Sequence, residues 1–260
     1  MPRERRFTFD EVAELYDRVR PQYPEALFED VLSLSRISAG ERVLEIGCGT
    51  AQATLPLARR GLRMLCLEPG PSLARLAHLK LASFKNVEVV SQRFEGWPLE
   101  AGAFRLVISA QAFHWVAPEV RFAKAAAALQ PGSALAVFGN VQIFNRSAVR
   151  EALDKVYALH APSLAGPSPT RWYAEDGPIP RLFAESACFG PVTWRRYPWS
   201  QEYAPAEYVD LLVTSSDHRL LPPGQRETLL HAVRQAIEMH GGRIEVQYEA
   251  HLYVANRVLS

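Results

Sequence analysis

Short apolar runs that alternate with helix-spaced segments between Arg42 and Asn140 constrain the fold of this 260-residue chain more than any other feature. The runs RVLEIG, LRMLCLEP, NVEVVSQRF, FRLVISAQAF and ALAVFGN predict five buried strands. The segments between them have helical spacing, with Gly61 as a helix stop and Pro71 in a first turn. Alternating strands and helices predict a parallel sheet covered on both faces, which binds ligands at the carboxyl ends of its strands.

The segments outside this core predict the rest of the architecture. Residues 9–34 have helical character in two pieces, broken by the prolines of the segment 21–24. A helix is predicted over Arg146–His160, and the alternation in VTWRRYPWSQEY and RIEVQYEAHLYVANRV predicts two long antiparallel strands with helices between them. The fold class is therefore α/β, a Rossmann-like and mostly parallel seven-stranded sheet with helices on both faces, an antiparallel last strand and helical lid elements.

We expect a single domain over residues 1–260. Within it, residues 1–40 form an N-terminal helical lid, residues 41–140 the cofactor-binding core, and residues 141–260 the remaining strands with insertions that cap the substrate.

Composition excludes several classes of protein. The net charge of +1 and the lack of a basic face argue against a nucleic-acid partner, and the terminal Arg3, Arg5 and Arg6 are expected to form a solvated tail. The absence of a signal-type or membrane-length apolar run predicts a cytoplasmic protein with no membrane partner. Three widely spaced cysteines predict neither a disulfide framework nor a metal site. The chain is expected to be a monomer or homodimer.

The loop Gly47–Cys48–Gly49 follows a predicted strand and opens a predicted helix, which is the context in which glycines bring backbone amides close to a ligand. Glu68 ends the second strand at the spacing where an acid reaches a ribose hydroxyl, and Pro69 follows it. Alone, the glycines are equally consistent with a tight structural turn. Together with the acid, they favour a ligand that contains adenosine.

Charge discriminates between adenosine cofactors. Glu45, just before the loop, would repel the pyrophosphate of a dinucleotide, and Ala51 replaces the third glycine of dinucleotide-binding loops. S-adenosylmethionine carries a sulfonium and an ammonium but no phosphate, so a nearby carboxylate favours it. The alternative for Glu45 is a carboxylate that points to solvent or into a salt bridge.

The segments VLEIGCGTAQATLPLARRG, CLEPG, RFEGWPL and FRLVISAQAFHWV resemble the class I S-adenosylmethionine-dependent methyltransferases, and most of all the small-molecule branch with an AFHW segment after the fourth strand. The resemblance extends from Phe7 to Asn140. It implies that the glycine loop lines the methionine moiety and that Glu68 binds the ribose. It also implies that Phe94 and Glu95 lie by the adenine, in spite of an arginine at position 93, and that Ala110 and Gln111 lie by the methionine end.

Further residues are candidates for the substrate side. His114 would act at the substrate mouth as a general base or hydrogen-bond donor, with Trp115 beside it; the alternative is a helix cap or a packing residue. YDRVRPQYP resembles the lid of this branch, in which Tyr16, Arg20 and Tyr23 close over the site, and a surface helix is the alternative. Trp172, Trp194 and Trp199 either line the acceptor pocket or are simple core anchors.

The sequence thus predicts an enzyme that transfers a methyl group from S-adenosylmethionine to a small molecule by in-line displacement. An oxygen or carboxylate acceptor is expected first, on the resemblance alone. The Asn/Asp-Pro-Pro-aromatic motif of base-amine methyltransferases is absent after the fourth strand, which argues against a nucleic-acid substrate. The alternatives are an NAD(P)-dependent oxidoreductase and a non-catalytic S-adenosylmethionine-binding protein.

Overall fold

A seven-stranded sheet forms the centre of the fold in a computed structural model that describes residues 9–164 and 169–258. Its strand order is β3-β2-β1-β4-β5-β7-β6. The strands are β1 Arg42–Ile46, β2 Arg63–Leu67, β3 Val87–Val90, β4 Phe104–Ala110, β5 Leu129–Ile143, β6 Thr193–Tyr203 and β7 Ile244–Asn256. The predicted fold class, with its mostly parallel sheet and antiparallel last strand, is confirmed.

Ten α-helices are present in the described ranges: α1 Ala13–Val19, α2 Glu25–Ser35, α3 Thr54–Arg59, α4 Pro71–Leu81, α5 Pro118–Ala128, α6 Ala148–His160, α7 Ile179–Glu185, α8 Pro205–Val213, α9 Ser216–Arg219 and α10 Pro223–Met239. Short 3-10 turns include Phe94–Gly96, Phe113–Trp115 and Pro169–Tyr173. The N-terminal helical region is interrupted before α2, as predicted, because Pro24 is extended and caps that helix.

The structure corrects two predicted boundaries. The spacing of PEVRFAKAAAALQPGS predicts a helix as far as Ser133, but α5 ends at Ala128 and β5 begins at Leu129. Pro131 explains this early end, because a proline disfavours the helical conformation in the residue before it. The second correction concerns residues 161–180, whose prolines predict a loop. α7 begins within this segment at Ile179 and was not predicted.

The parallel pairing of β1 with β2 and β4 brings several strand ends together. Glu45 lies opposite Cys66 of β2 and Ile108 of β4. The strands are almost wholly buried here, as expected for a sheet covered on both faces. The carboxyl ends of β1, β2 and β4 therefore present the glycine loop, Glu68 and Gln111 at one edge of the sheet.

The chain divides into two compact units. The first comprises residues 1–21, 142–169 and 198–249, and the second comprises residues 22–141, 170–197 and 250–260. Aliphatic and tyrosine side chains, such as Leu153, Tyr208 and Leu229, form the core of the first. Residues of β1, β2 and β4 with α2 and α3 form much of the core of the second. The predicted single domain stays a prediction.

None of the helices in the described ranges combines the length and apolar character needed to cross a bilayer. The expectations for Arg3, Arg5, Arg6 and Phe7 lie outside the described residues.

Candidate functional site

The loop after β1 needs its first glycine. Gly47 has φ +73°, and a Cβ built there would overlap the Cβ of Ala112. Its amide donates to the carbonyl of Leu67 at 2.8 Å, which ties the loop to the end of β2. Gly49 also has a positive φ of +57°. Glycine adopts this conformation without steric strain, so the loop backbone can approach a ligand closely.

Glu68 is directly bonded to this loop. One carboxylate oxygen accepts the amide of Gly49 at 2.9 Å, and the other accepts the amide of Gly70 at 2.9 Å. The residue is only 6% exposed. Two charge-assisted bonds to backbone amides fix the carboxylate at the ends of β1 and β2.

Glu45 lies on β1 inside the core, and this differs from both environments considered for it. It is fully buried, with Thr54 Oγ1 donating to its Oε2 at 2.7 Å and Cys66 Sγ 3.8 Å away. Its Oε1 has no hydrogen-bond partner among the described residues. Burial raises its pKa to about 7 from the usual 4.5, so its charge is incomplete at neutral pH. The electrostatic argument for a cationic cofactor therefore depends on Glu68.

Ala51 and Cys48 both direct their side chains into the core. Ala51 is 1% exposed and has φ +71°, the left-handed conformation that the usual third glycine would adopt without strain. The Cys48 thiol is buried, and a hydrogen bond with Cys66 together with burial raises its pKa well above the usual value. The Cys48 amide already donates to the carbonyl of Leu67 at 3.2 Å, so Cys48 can offer a ligand its carbonyl oxygen but neither its amide nor its thiol.

The predicted adenine side has a similar arrangement. Phe94 is buried and stacks on Trp97 with ring centroids 6.3 Å apart. Its carbonyl accepts the amide of Trp97 at 3.3 Å, which leaves the backbone amide of Phe94 for a ligand. Glu95 accepts the amide of Ala117 at 3.2 Å and lies 3.8 Å from Arg93. Lys124 of α5 donates to the carbonyls of Glu95 and Trp97 and holds this turn.

Gln111 directly follows Ala110, the last residue of β4, and its backbone is strained, with φ +55°. Its side-chain amide forms two bonds with the backbone of Asn140, a donated bond of 3.3 Å and an accepted bond of 3.2 Å. Strained residues held by their surroundings are concentrated at functional sites. This strain agrees with a site at the end of β4.

His114 lies in an aromatic cluster. Its Nδ1 is 3.0 Å from the hydroxyl of Tyr173, and its ring centroid is 4.3 Å from that of Trp115 and 5.7 Å from that of Trp172. Burial, and next the charge of Arg121, lower its pKa to about 4. The imidazole is therefore neutral at pH 7.

Tyr173 is the hydrogen-bond partner of His114 in this cluster. Its side chain is fully buried, and burial raises the pKa of the phenol well above its usual value. The bond holds the His114 ring in place whichever ring nitrogen carries the proton.

Tyr173 was missed in the sequence analysis. Its ring fits against Gly139 of β5, where an added Cβ would come within 2.6 Å of the ring. Tyr253 also donates to the carbonyl of Ala174 at 2.9 Å, which holds this segment. The available signal was Gly139 itself, because an isolated glycine in a strand marks a close approach.

The predicted lid residues have separate environments. In the first unit, the Arg20 guanidinium lies 4.8 Å from the Tyr16 ring centroid and donates to the carbonyl of Thr214. In the second unit, Tyr23 packs against Phe138 at 5.1 Å. Of the three tryptophans considered, Trp172 contacts His114, whereas Trp194 bonds to His251 and Trp199 stacks on Tyr248.

In the described ranges, no group of three or more His, Cys, Asp or Glu side chains is arranged to hold a metal ion.

Comparison with known proteins agrees with this geometry. Residues 43–132 match a family described as a methyltransferase domain. An uncharacterized methyltransferase of Mycobacterium tuberculosis, Rv3342, is 27% identical over 239 residues, which cover 92% of this chain and 88% of that protein.

Two solved structures share the fold. The YcgJ protein from Bacillus subtilis has a TM-score of 0.55 at 13% identity, covering 91% of this chain and 100% of that chain. A phosphoethanolamine N-methyltransferase 2 from Haemonchus contortus, in complex with phosphomonomethylethanolamine and S-adenosylhomocysteine, also has a TM-score of 0.55 at 13% identity. That likeness covers 96% of this chain and 58% of that chain.

The matched residues 43–132 include most of β1, all of β2 to β4 and the glycine loop. The protein is of the S-adenosylmethionine-dependent methyltransferase class, as the sequence predicts. The oxidoreductase and the non-catalytic alternatives are set aside.

Proposed function

We propose that this chain holds S-adenosylmethionine at the carboxyl ends of β1, β2 and β4 and methylates an oxygen atom of a small molecule, as a member of the AFHW branch. The position of Glu68 at the glycine loop is the observation that carries the proposal. Its carboxylate is bonded to the loop amide of Gly49 and is 6% exposed. A buried acid at this place suits ribose hydroxyls, and its bond to the Gly49 amide takes up a donor that a pyrophosphate would need.

The remaining residues fit the other parts of the cofactor. The backbone of Gly47, Cys48 and Gly49 would hold the methionine moiety, with Ala110 and Gln111 at its far end. The backbone of Phe94 and the carboxylate of Glu95 would contact the adenine, and Pro69 would lie beside the ribose. We assign Glu45 a structural role in the core next to the glycine loop, because its carboxyl is fully buried.

When bound, S-adenosylmethionine supplies an electrophilic methyl group, whose bond to sulfur breaks, leaving its electrons on sulfur, as the bond to the acceptor oxygen forms. The residues of the chain position the acceptor and exclude water. We assign the proton of the neutral His114 to Nε2, with the Tyr173 hydroxyl donating to Nδ1, so that His114 would donate a hydrogen bond to the acceptor oxygen beside Trp115. With a pKa of about 4 it is a weak base, which favours an oxygen that is already an anion. Tyr16, Arg20 and Tyr23 remain proposed lid residues.

Calorimetry with S-adenosylhomocysteine tests the cofactor site. We expect a Kd in the micromolar range for the wild-type protein and binding at least about tenfold weaker for Glu68→Ala, which loses charge-assisted bonds. Glu88→Ala is the matched control, since Glu88 is an exposed acid on β3. A wild-type protein without micromolar binding, or Glu68→Ala binding like the control, would contradict the proposal.

A screen of small-molecule acceptors, read out as release of S-adenosylhomocysteine, tests the acceptor class. Turnover with hydroxyl or carboxylate compounds is expected. Turnover with amines alone would reject oxygen methylation.

A further inference from the structure

Arg121 of α5 is a buried cation without an ionic partner. It is 7% exposed, and its guanidinium forms no hydrogen bond and no ion pair within residues 9–164 and 169–258. Its close contact is the ring of Trp172, whose centroid is 5.8 Å from its Cζ. Arginine is almost never this buried unless it is paired. Burial lowers its pKa, and the charge of Glu119 offsets only part of this effect.

The neighbours of Arg121 add a second hydrogen-bond donor but no ion-pair partner. His114, whose pKa the Arg121 charge helps to lower, offers an N–H donor in the tautomer assigned above, in which the Tyr173 hydroxyl donates to Nδ1. Glu119 acts on Arg121 through its charge, but it is exposed and forms no ion pair with Arg121 within the described residues. The cluster therefore offers one positive charge and one neutral N–H.

We infer that Arg121 and His114 bind a carboxylate group of the methyl acceptor, an inference that rests on the proposed function. A guanidinium presents two parallel N–H donors that match the two oxygens of a carboxylate. Within the described residues, no second cation contacts His114, Trp172 or Tyr173. One guanidinium suits a monoanion, whereas a phosphate dianion would leave one charge unmatched in a site of low dielectric.

The rings of the cluster suit the rest of such an acceptor. Trp172 and Trp115 each pack within 6 Å of His114 and are only partly exposed. Aromatic faces bind planar apolar groups by stacking and by burial of area. Aromatic and conjugated carboxylic acids are therefore the class of acceptor to examine first.

Matched acids and amides test this inference. Benzoate and cinnamate are titrated into the protein saturated with S-adenosylhomocysteine, and benzamide and cinnamamide are titrated in parallel. The amides keep the shape of the acids and lose the charge. We expect the acids to bind the wild-type protein at least tenfold more tightly than the amides, and Arg121→Gln to lose this preference.

Two further variants keep the result interpretable. Arg121→Lys keeps the charge but not the fork and should retain part of the preference. Arg63→Gln removes an exposed arginine at the start of β2 and should leave it unchanged. Equal binding of acids and amides by the wild-type protein, no binding of either acid, or an unchanged preference in Arg121→Gln would each overturn the inference.

Cofactor affinity separates this inference from the proposed function. Each variant is first titrated with S-adenosylhomocysteine, and we expect wild-type affinity. If the wild-type protein fails that titration, the proposed function fails. If it passes but shows no preference for acids, only the carboxylate site is rejected.

Discussion

Gly47 is subject to two constraints at the residue scale, a positive φ and the proximity of Ala112. Gly47→Ala should lower the free energy of unfolding by about 2–4 kcal/mol, from left-handed strain plus overpacking. Gly102→Ala is the control, because Gly102 has φ +61° but open space around it, and it should cost only about 1 kcal/mol. Urea unfolding measures both variants. Equal losses would show that the overlap with Ala112 is relieved at no cost.

Glu45 makes stability depend on pH with a definite sign. Its pKa is raised from 4.5 to about 7 in the folded state, so between these values the native chain holds a proton that the unfolded chain has lost. The contribution of Glu45 to the free energy of unfolding is therefore fully present below pH 4.5. It falls by up to about 3 kcal/mol as the pH rises to about 7, since each pKa unit is worth about 1.4 kcal/mol.

Glu45→Gln removes this titration. The variant should gain stability relative to the wild-type protein as the pH rises from 5 to 8, which urea unfolding at several pH values measures. Parallel stability curves for the two proteins would show that Glu45 titrates normally.

At the scale of elements, Lys124 joins α5 to the turn after β3. Its Nζ donates to the carbonyls of Glu95 at 2.9 Å and Trp97 at 2.6 Å. Lys124→Met keeps much of the apolar stem and removes both bonds, so it should destabilise the protein by about 1–3 kcal/mol. Because this turn is the proposed adenine contact, S-adenosylhomocysteine should also bind less tightly. Lys85 is exposed, so Lys85→Met is the control. A Lys124→Met protein that matched this control in stability and in affinity for S-adenosylhomocysteine would show that Lys124 does not hold the turn.

Elements that local sequence dictates were predictable, and those that depend on tertiary contacts were not. The apolar runs of β1 to β4 and the glycine loop follow from residue order alone. The start of β5 did not, because Pro131 and Gly132 disfavour a regular strand and pairing with β4 overrides them. The position of Tyr173 against Gly139 joins distant parts of the chain. The burial of Glu45 also depends on how the sheet packs, which the local sequence does not reveal. The sequence therefore predicted this carboxylate near a ligand.

At the scale of the whole molecule, cofactor binding should appear as stability. All candidate cofactor residues lie between Glu45 and Gln111, in the second compact unit. A ligand that binds only the native state at about 100 times its Kd adds about 2.7 kcal/mol to the free energy of unfolding. S-adenosylhomocysteine should stabilise the wild-type protein by this amount against urea and Glu68→Ala by much less at the same concentration. Equal stabilisation of the two would mean that the ligand binds elsewhere.

The strand order has a consequence for how the protein is made. β7, the last strand along the chain, lies between β5 and β6 in the sheet. β6 therefore leaves the ribosome before the strand that will join it to the rest of the sheet. A nascent chain that stops short of Ile244 has the glycine loop and Glu68 already synthesised, yet two of its seven strands are not in place. Completion of the sheet thus waits until Ile244–Asn256 have been translated.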